Sequence, residues 1–339
     1  MRRWQFWAGV AISLFFLYYV LRGLQFGDVW ETLEGANYLW LIPGVLIYLV
    51  GVIARAWRWH YLLRPVKSIP TTTLFPITAI GYMGNNIYPA RAGEVLRAIV
   101  LKKFEGVAIS ASLATIVVER VFDGIVMLGF VFLNLPELAR LTVSSGFVGN
   151  IQTLALWGAG AFLGALVLFL LAGMYPERTI WFVKWISRYV IPTRFRDQVI
   201  GLAQSFLSGL AALRSPRDVL MIFFTSIVIW LLETGKYWFV MQAFPQLEVS
   251  FFTLMLMNGI VNLATTIPSA PGYVGTFDAP GIAVLQAYGV DKAIAAGYTL
   301  VLHAALWVPI TALGAYYMAR SGIKWDQSME RVRVEDRSK

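Results

Sequence analysis

Apolar stretches close to the length of about 20 residues that spans roughly 30 Å of bilayer hydrocarbon recur from end to end of this 339-residue chain. They fall at 7–21, 39–55, 110–133, 151–173, 219–243 and 293–318. Inside hydrocarbon every backbone polar group needs a partner within the protein, so stretches of this length specify helices. No interval between them is long enough for a sizeable soluble domain. The expected fold is an all-α polytopic membrane protein with six full spans, in keeping with a composition that is 58% hydrophobic and 14% charged.

Two apolar regions, 74–101 and 251–288, are interrupted. The first carries Asn85 and Asn86 followed by Pro89 and Gly93; the second carries Asn262 followed by Pro268, Pro271, Gly272 and Gly275. Broken helices survive in a membrane only where protein or a water-filled cavity satisfies the freed backbone, and a pair of breaks in corresponding halves points to a central binding site.

The distribution of charge gives the threading. With the N-terminus inside, Arg2, Arg3, the 55–67 loop, Lys102, Lys103, the 175–217 interval and the tail after Arg320 lie on one face, which then holds 21 of the 28 basic residues. The other face holds Arg22, Arg140 and Lys292 among acids such as Asp28, Glu31, Glu34 and Glu137. Positive residues accumulate on the cytoplasmic side, so both termini are expected there. Lys67 and Lys102 flank the first break, which should enter from the cytoplasm; the second should enter from outside. Two oppositely oriented re-entrant helix pairs result, and 39–133 and 219–318 read as an inverted-topology repeat.

The whole of 1–320 is expected to be one integral domain, with a polar cytoplasmic tail at 321–339. The start, Met1-Arg2-Arg3 running into 7–21, reads as a retained signal anchor. In 175–217, Ile180, Trp181, Trp185, Ile186 and Tyr189 oppose Arg178, Lys184 and Arg188, the pattern of a cytoplasmic interfacial helix; a second helix follows. The formal charge of +9 thus points to an anionic membrane surface and not to nucleic acid.

Charges also occur where they are expensive: Arg91, Glu94, Arg97, Glu119, Arg120, Asp123, Glu233, Lys236 and Asp278, four basic and five acidic. Glu119, Arg120 and Asp123 together would cost roughly 7–10 kcal/mol facing lipid, so they should face inward and be paired. Arg91, Glu94 and Arg97 lie three apart on a helix beginning near Gly93, and Glu119 and Asp123 lie four apart, so each set shares a face. Guanidinium forks suit phosphate as well as carboxylate oxygens. These six residues, with Asn85, Asn86, Asn262 and Ser269, are the candidate substrate-binding set. Thr265 and Thr266 add neutral hydrogen-bonding groups, and helices starting after Gly93 and near Gly275 would aim positive dipole ends at the midplane. Pro89, Gly93, Pro268, Pro271, Gly272, Glu233, Lys236 and Asp278 are candidates for gating or coupling. The competing reading is permanent salt bridges and a self-satisfied broken backbone.

Other signals are weaker. Gly158, Gly160 and Gly164 mimic a nucleotide loop but lie in an apolar span, where they suit close helix packing. Arg55 to Tyr61 could hold a lipid phosphate, but basic and aromatic residues belong at a cytoplasmic boundary, and that is the preferred reading. His303, alone in an apolar helix, reads as a packed, hydrogen-bonded histidine in preference to a proton carrier. There are no cysteines and only one other histidine, His60, so neither a metal site nor a cofactor is expected.

The run Gly-Asn-Asn-Ile-Tyr-Pro-Ala-Arg-Ala-Gly-Glu-Val-Leu-Arg at 84–97, Glu-Arg-Val-Phe-Asp at 119–123 and the segment 268–275 resemble the signatures of the flippase-like integral membrane family that includes the transmembrane region of lysylphosphatidylglycerol synthases. The resemblance runs over about 7–318. It implies a bacterial or archaeal plasma-membrane protein that moves phospholipids or polyprenyl-phosphate-linked molecules between leaflets. The tail is too short for an aminoacyl-transferring domain, so that activity is not expected. A flippase or scramblase is the leading expectation, with its headgroup at the first break and the second break as opposing gate. The alternatives are a membrane transferase acting on a lipid headgroup or lipid-linked sugar and a non-transporting scaffold. A homo-oligomer or a separate lipid-modifying enzyme are the partners considered besides the lipid.

Overall fold

The computed structural model describes residues 24–88, 91–141, 147–266 and 270–321, together with Ala11, Leu14, Phe15, Tyr18 and Arg22. The expected first span, 7–21, therefore lies almost wholly outside the described residues, as do Pro89, Pro268, Ser269 and the tail beyond 321.

Twelve α-helices follow one another, and no strand occurs among the described residues: α1 Phe26–Glu34, α2 Leu41–Leu63, α3 Thr71–Ile87, α4 Ala92–Glu105, α5 Ile109–Leu141, α6 Phe147–Met174, α7 Pro176–Val190, α8 Thr193–Gly209, α9 Pro216–Met241, α10 Phe251–Ala264, α11 Asp278–Ala287 and α12 Lys292–Arg320. Local chemistry sets several of the ends. Ser215 caps α9 by accepting from the Asp218 N–H, with Pro216 just inside the helix, and Asp291 caps α12 through the Ala293 and Ile294 N–H groups. Tyr88 takes an extended conformation at the end of α3, the preference of a residue that precedes proline.

Among the described residues, three helices are long and apolar enough to cross a membrane, Tyr38–Leu63, Pro216–Met241 and Lys292–Arg320. A fourth candidate, Leu163–Met174 with Pro176–Val190, bends by 102° at its break. The expected spans 110–133 and 151–173 fall within α5 and α6, which run 33 and 28 residues. Helix α2 continues two turns past the expected end of its span at 55, carrying Arg55 and Arg58 inward. Its outer face, Ile42, Leu46, Val50, Ile53 and Trp57 at spacings of three and four, is exposed, whereas Tyr48, Val52, Arg55, Ala56 and Trp59 are buried. One stripe therefore suits lipid and the other a protein interior. Exposed Trp181, Trp185 and Tyr189 give α7 a comparable apolar face.

The packing pairs the helices in exchange. Helices α2 and α9 pack against each other; α3 packs on α4 and on α12, while α10 packs on α11 and on α5. Apolar residues form two main cores, one centred on α2, α3, α4 and α5, the other on α9, α10, α11 and α12. In the first hairpin, α3 and α4 approach at glycines: a Cβ on Gly84 would stand 2.7 Å from Gly93 Cα. Lys67 Nζ, just before α3, bonds the Glu105 carbonyl and carboxylate at the end of α4, both at 2.8 Å, tying the open ends of that hairpin at one level.

Candidate functional site

The two breaks meet tip to tip. Asn86 Nδ2 at the end of α3 donates to Thr311 Oγ1 at 2.8 Å and to the Trp307 carbonyl at 3.3 Å in α12. Arg91 Nη2 donates to the Thr265 carbonyl after α10 at 3.1 Å, and its guanidinium carbon lies 5.8 Å from the Tyr273 ring centroid. A Cβ on Gly272 would fall 2.8 Å from Trp307 Nε1 and 3.5 Å from the Asn86 carbonyl, so only glycine lets the second break sit this close to the first.

A cavity of about 120 Å³ occupies this junction. Tyr48 and Arg55 line it from α2; Tyr82, Asn85 and Asn86 from α3; Arg120 from α5; Trp230, Glu233, Lys236 and Tyr237 from α9; and His303 and Trp307 from α12. Arg91, Asn262, Thr265, Gly272, Tyr273 and Phe277 line it at and beside the breaks, with Leu306 of α12. Four lining cations, Arg55, Arg91, Arg120 and Lys236, face one lining carboxylate, Glu233.

Ion pairs behind the wall hold these cations. Glu233 takes Arg55 at 2.6 Å on one oxygen and Lys236 on the other. Arg55 also lies 5.6 Å from the centroids of Tyr82 and Trp230, a stacked position that suits a planar cation. Asp123 accepts from Arg58 at 2.5 and 3.2 Å, from Trp230 Nε1 at 2.9 Å, and pairs with Arg120 at 3.3 Å. Arg120 continues to Glu94 at 3.8 Å, and Glu94 to Arg91 at 3.6 Å. The charges alternate from a fully buried end, Arg58, to a looser one at Glu94 and Arg91, where a quarter of each side chain is exposed. Among the lining arginines, Arg55 Nη1 and the Nε groups of Arg91 and Arg120 are buried without a hydrogen-bond acceptor in the protein, Arg120 Nε standing 3.8 Å from Glu94 Oε1, which leaves donors for a further anion.

The expected residues divide accordingly. Arg91, Arg120, Asn85, Asn86, Asn262, Glu233, Lys236 and Gly272 line the cavity, and Glu94 and Asp123 stand one contact behind it. Arg97 and Glu119 do not line it. They form a buried two-bond pair at 2.8 and 3.2 Å, with Arg97 3.5 Å from the Trp59 ring centroid. Asn262 donates to Asn258 at 2.7 and 2.9 Å, the self-satisfied arrangement of a helix end. Gly93 packs into α3 and Pro271 opens the short turn Pro271–Tyr273. Pro89, Pro268 and Ser269 lie outside the described residues. At the start of α11, Asp278 Oδ2 accepts the N–H of Gly275 in the preceding turn at 2.8 Å, which places a carboxylate at the helix end expected to face an anion.

Sequence reasoning missed Arg55 and Arg58 by assigning them to a boundary loop; both are buried, and they are the cations of Glu233 and Asp123. A signal existed. Four bases against five acids in the interior was a deficit of cations, and the nearest unassigned arginines were three apart on one helix face. Removing these two leaves the face bias at 19 to 3, so the threading argument survives. His303, read as a packed residue, is packed against Phe277 and also lines the cavity.

Residues 6–314 match the family described as the lysylphosphatidylglycerol synthase TM region. A UPF0104 membrane protein of Methanothermobacter thermautotrophicus is 26% identical over 82% of this chain and 83% of its own length. Another from Methanocaldococcus jannaschii is 24% identical over 92% and 93%. The glycosyltransferase AglD of Haloferax volcanii is 26% identical over 91% of this chain, which spans about half of that protein, 53%.

Proposed function

The chain belongs to the lysylphosphatidylglycerol synthase TM-region family of integral membrane proteins, and from that premise we propose that it is a lipid flippase or scramblase. The substrate is a phospholipid or polyprenyl-phosphate-linked headgroup, carried through the central cavity while its tails remain in lipid. One observation carries the reading: four cations line the cavity against a single carboxylate, and each of the three lining arginines, Arg55, Arg91 and Arg120, keeps a buried donor without an acceptor. Counted with their partners, six cations, Arg55, Arg58, Arg91, Arg97, Arg120 and Lys236, meet four carboxylates, Glu94, Glu119, Asp123 and Glu233. An excess of two positive charges in a low-dielectric interior favours an anionic group at that place.

In this reading the fold is six spans with two oppositely oriented re-entrant hairpins, α3–α4 from the cytoplasm and α10–α11 from outside. The chain from 1 to 320 is one domain of a plasma-membrane protein with cytoplasmic termini. The exchange of packing partners supports the inverted repeat, because α3 on α12 has its counterpart in α10 on α5. The exposed aromatic face of α7 after a 102° bend supports a helix lying in the anionic interface. Arg91, Glu94, Arg120 and Asp123 form the headgroup set, and the Gly272 turn is the gate. Arg97 and Glu119 position α4 against α5.

A second reading, transfer to a lipid headgroup or lipid-linked sugar, draws support from the glycosyltransferase relative. Reconstitution separates the two. Vesicles carrying the protein should move a labelled anionic lipid between leaflets, and Arg91→Ala should abolish movement while the protein stays folded. Unchanged movement in that variant would sink the site assignment; absence of movement in the wild type, with turnover of a labelled headgroup, would favour transfer.

A further inference from the structure

His303 sits in a geometry that a neutral imidazole cannot satisfy. Its Nδ1 is 2.8 Å from Asp278 Oδ1 and its Nε2 is 2.7 Å from the Gly272 carbonyl. Both neighbours are oxygen acceptors, and a neutral ring has only one N–H to give. Both contacts are hydrogen bonds only when the His303–Asp278 couple holds one proton more than a neutral ring beside a carboxylate. The other Asp278 oxygen is taken by the Gly275 N–H, so the carboxylate cannot turn away without breaking the bond that holds the turn before α11. We infer that His303 and Asp278 form a proton-binding site that latches the second break, and that holding this proton is coupled to occupancy of the anion cavity.

The latch follows from which bond fails first. On losing a proton the ring keeps the bond to the carboxylate, since a charge-assisted acceptor is the stronger one. Nε2 then presents a lone pair to the Gly272 carbonyl, and the proton passes to cavity water. Gly272 is the residue against which Trp307 and the end of α3 pack, so its release loosens the contact between the two breaks.

The coupling follows from charge. With the couple protonated, Asp278 is neutralised locally and the cavity cluster keeps its excess of two positive charges; without that proton the excess falls to one. The groups facing His303 across the cavity are Tyr48 and Arg55 from α2, Tyr82 from α3, and Glu233, Lys236 and Tyr237 from α9, with Arg91, Arg120 and Tyr273 beside the breaks. Helix α1 meets α12 at Thr32 against Gly297, roughly two turns from His303, beyond hydrogen-bond reach. Asp278 is thus the carboxylate in contact with the ring, and Glu233 is already shared by two cations. By linkage, an anion that prefers the protonated cavity must also raise its hold on the proton.

The coupling rests on the transport reading above, whereas the proton site stands without it. Full-length protein labelled with ¹⁵N-histidine in lipid nanodiscs tests the site directly, since His60 is the only other histidine and His60→Gln assigns the signals. At pH 7, both ring nitrogens of His303 should carry protons, and Asp278→Asn should remove one at the same pH. A singly protonated ring in the folded wild type, with the ¹³C signal of the Asp278 carboxyl group showing it ionised, would overturn the site, whatever the variant does. For the coupling, lipid movement should fall about fivefold or more as pH rises through the release step, and His303→Gln should move lipid at a rate independent of pH. Wild-type movement that is flat with pH would overturn the coupling and leave the flippase reading intact. A doubly protonated His303 with no lipid movement at any pH would remove the flippase reading and retain the proton site.

Discussion

Arg91 and Tyr273, the two non-glycine residues with left-handed backbone among the described residues, face each other across the junction of the breaks, guanidinium carbon to ring centroid 5.8 Å. One precedes α4 in the first half and the other precedes α11 in the second. A non-glycine residue held at a φ of 54° or 60° costs of order 1–3 kcal/mol, and such costs collect where a site demands a particular geometry. Replacing Arg91 by glycine removes this cost along with the guanidinium. The expected result is a folded protein, as heat-stable as wild type or more so, that no longer moves anionic lipid. Thermal unfolding and lipid movement measured on the same preparation check it; a large fall in stability would assign Arg91 a structural role.

Asp123 serves Arg58, Arg120 and the Trp230 indole at once, and its side chain is 2% exposed. Asp123→Asn leaves the fully buried Arg58 without its carboxylate, which should cost about 3–5 kcal/mol. Glu94, 24% exposed and no closer than 3.6 Å to its cations, should lose far less on conversion to Gln. The order of unfolding temperatures, Asp123→Asn well below Glu94→Gln, is the measurement. The transport defect of Glu94→Gln should exceed anything its stability explains.

Gly84 and Gly93 set the spacing of the first hairpin. Because a Cβ on Gly84 would meet Gly93 Cα at 2.7 Å and Leu96 Cδ2 at 3.0 Å, Gly84→Ala must force α3 and α4 apart, at a cost of about 1–3 kcal/mol or more. The loss should appear as lower folded yield and lower unfolding temperature. Gly106→Asn, in the left-handed turn after α4 with open space around it, serves as a mild control.

The chain contains no cysteine, so single cysteines report topology cleanly. Lys67→Cys at the open end of the first hairpin should react with an impermeant reagent added from the cytoplasmic side, and Glu248→Cys, exposed before α10, from the outside. Labelling of both from one side would remove the inverted arrangement. Lys67→Cys should cost under about 1 kcal/mol, because its pairing with Glu105 is half exposed.

Some of this was legible from residues alone. Apolar length dictated helices in a bilayer, and Pro89, Gly93 and Gly272 located the breaks, because a backbone without its N–H or without a Cβ acts locally. The costs of burying Glu119, Arg120 and Asp123 by themselves require inward-facing partners. Partner choice was not legible. Arg58 lies 65 residues from Asp123, Arg55 lies 178 from Glu233, and His303 lies 25 from Asp278. Spacing within one helix suggested neighbours three or four apart, and for Arg120–Asp123 and Glu233–Lys236 these occur. The stronger contacts join different helices, and which helices touch follows from how two halves pack across each other. Sequence determined that this chain is a helical membrane protein with two interrupted apolar regions; the tertiary structure alone decided that Arg97 and Glu119 neutralise each other away from the cavity, whereas Arg55 and His303 line it, since a charge acquires its partner only when distant helices meet.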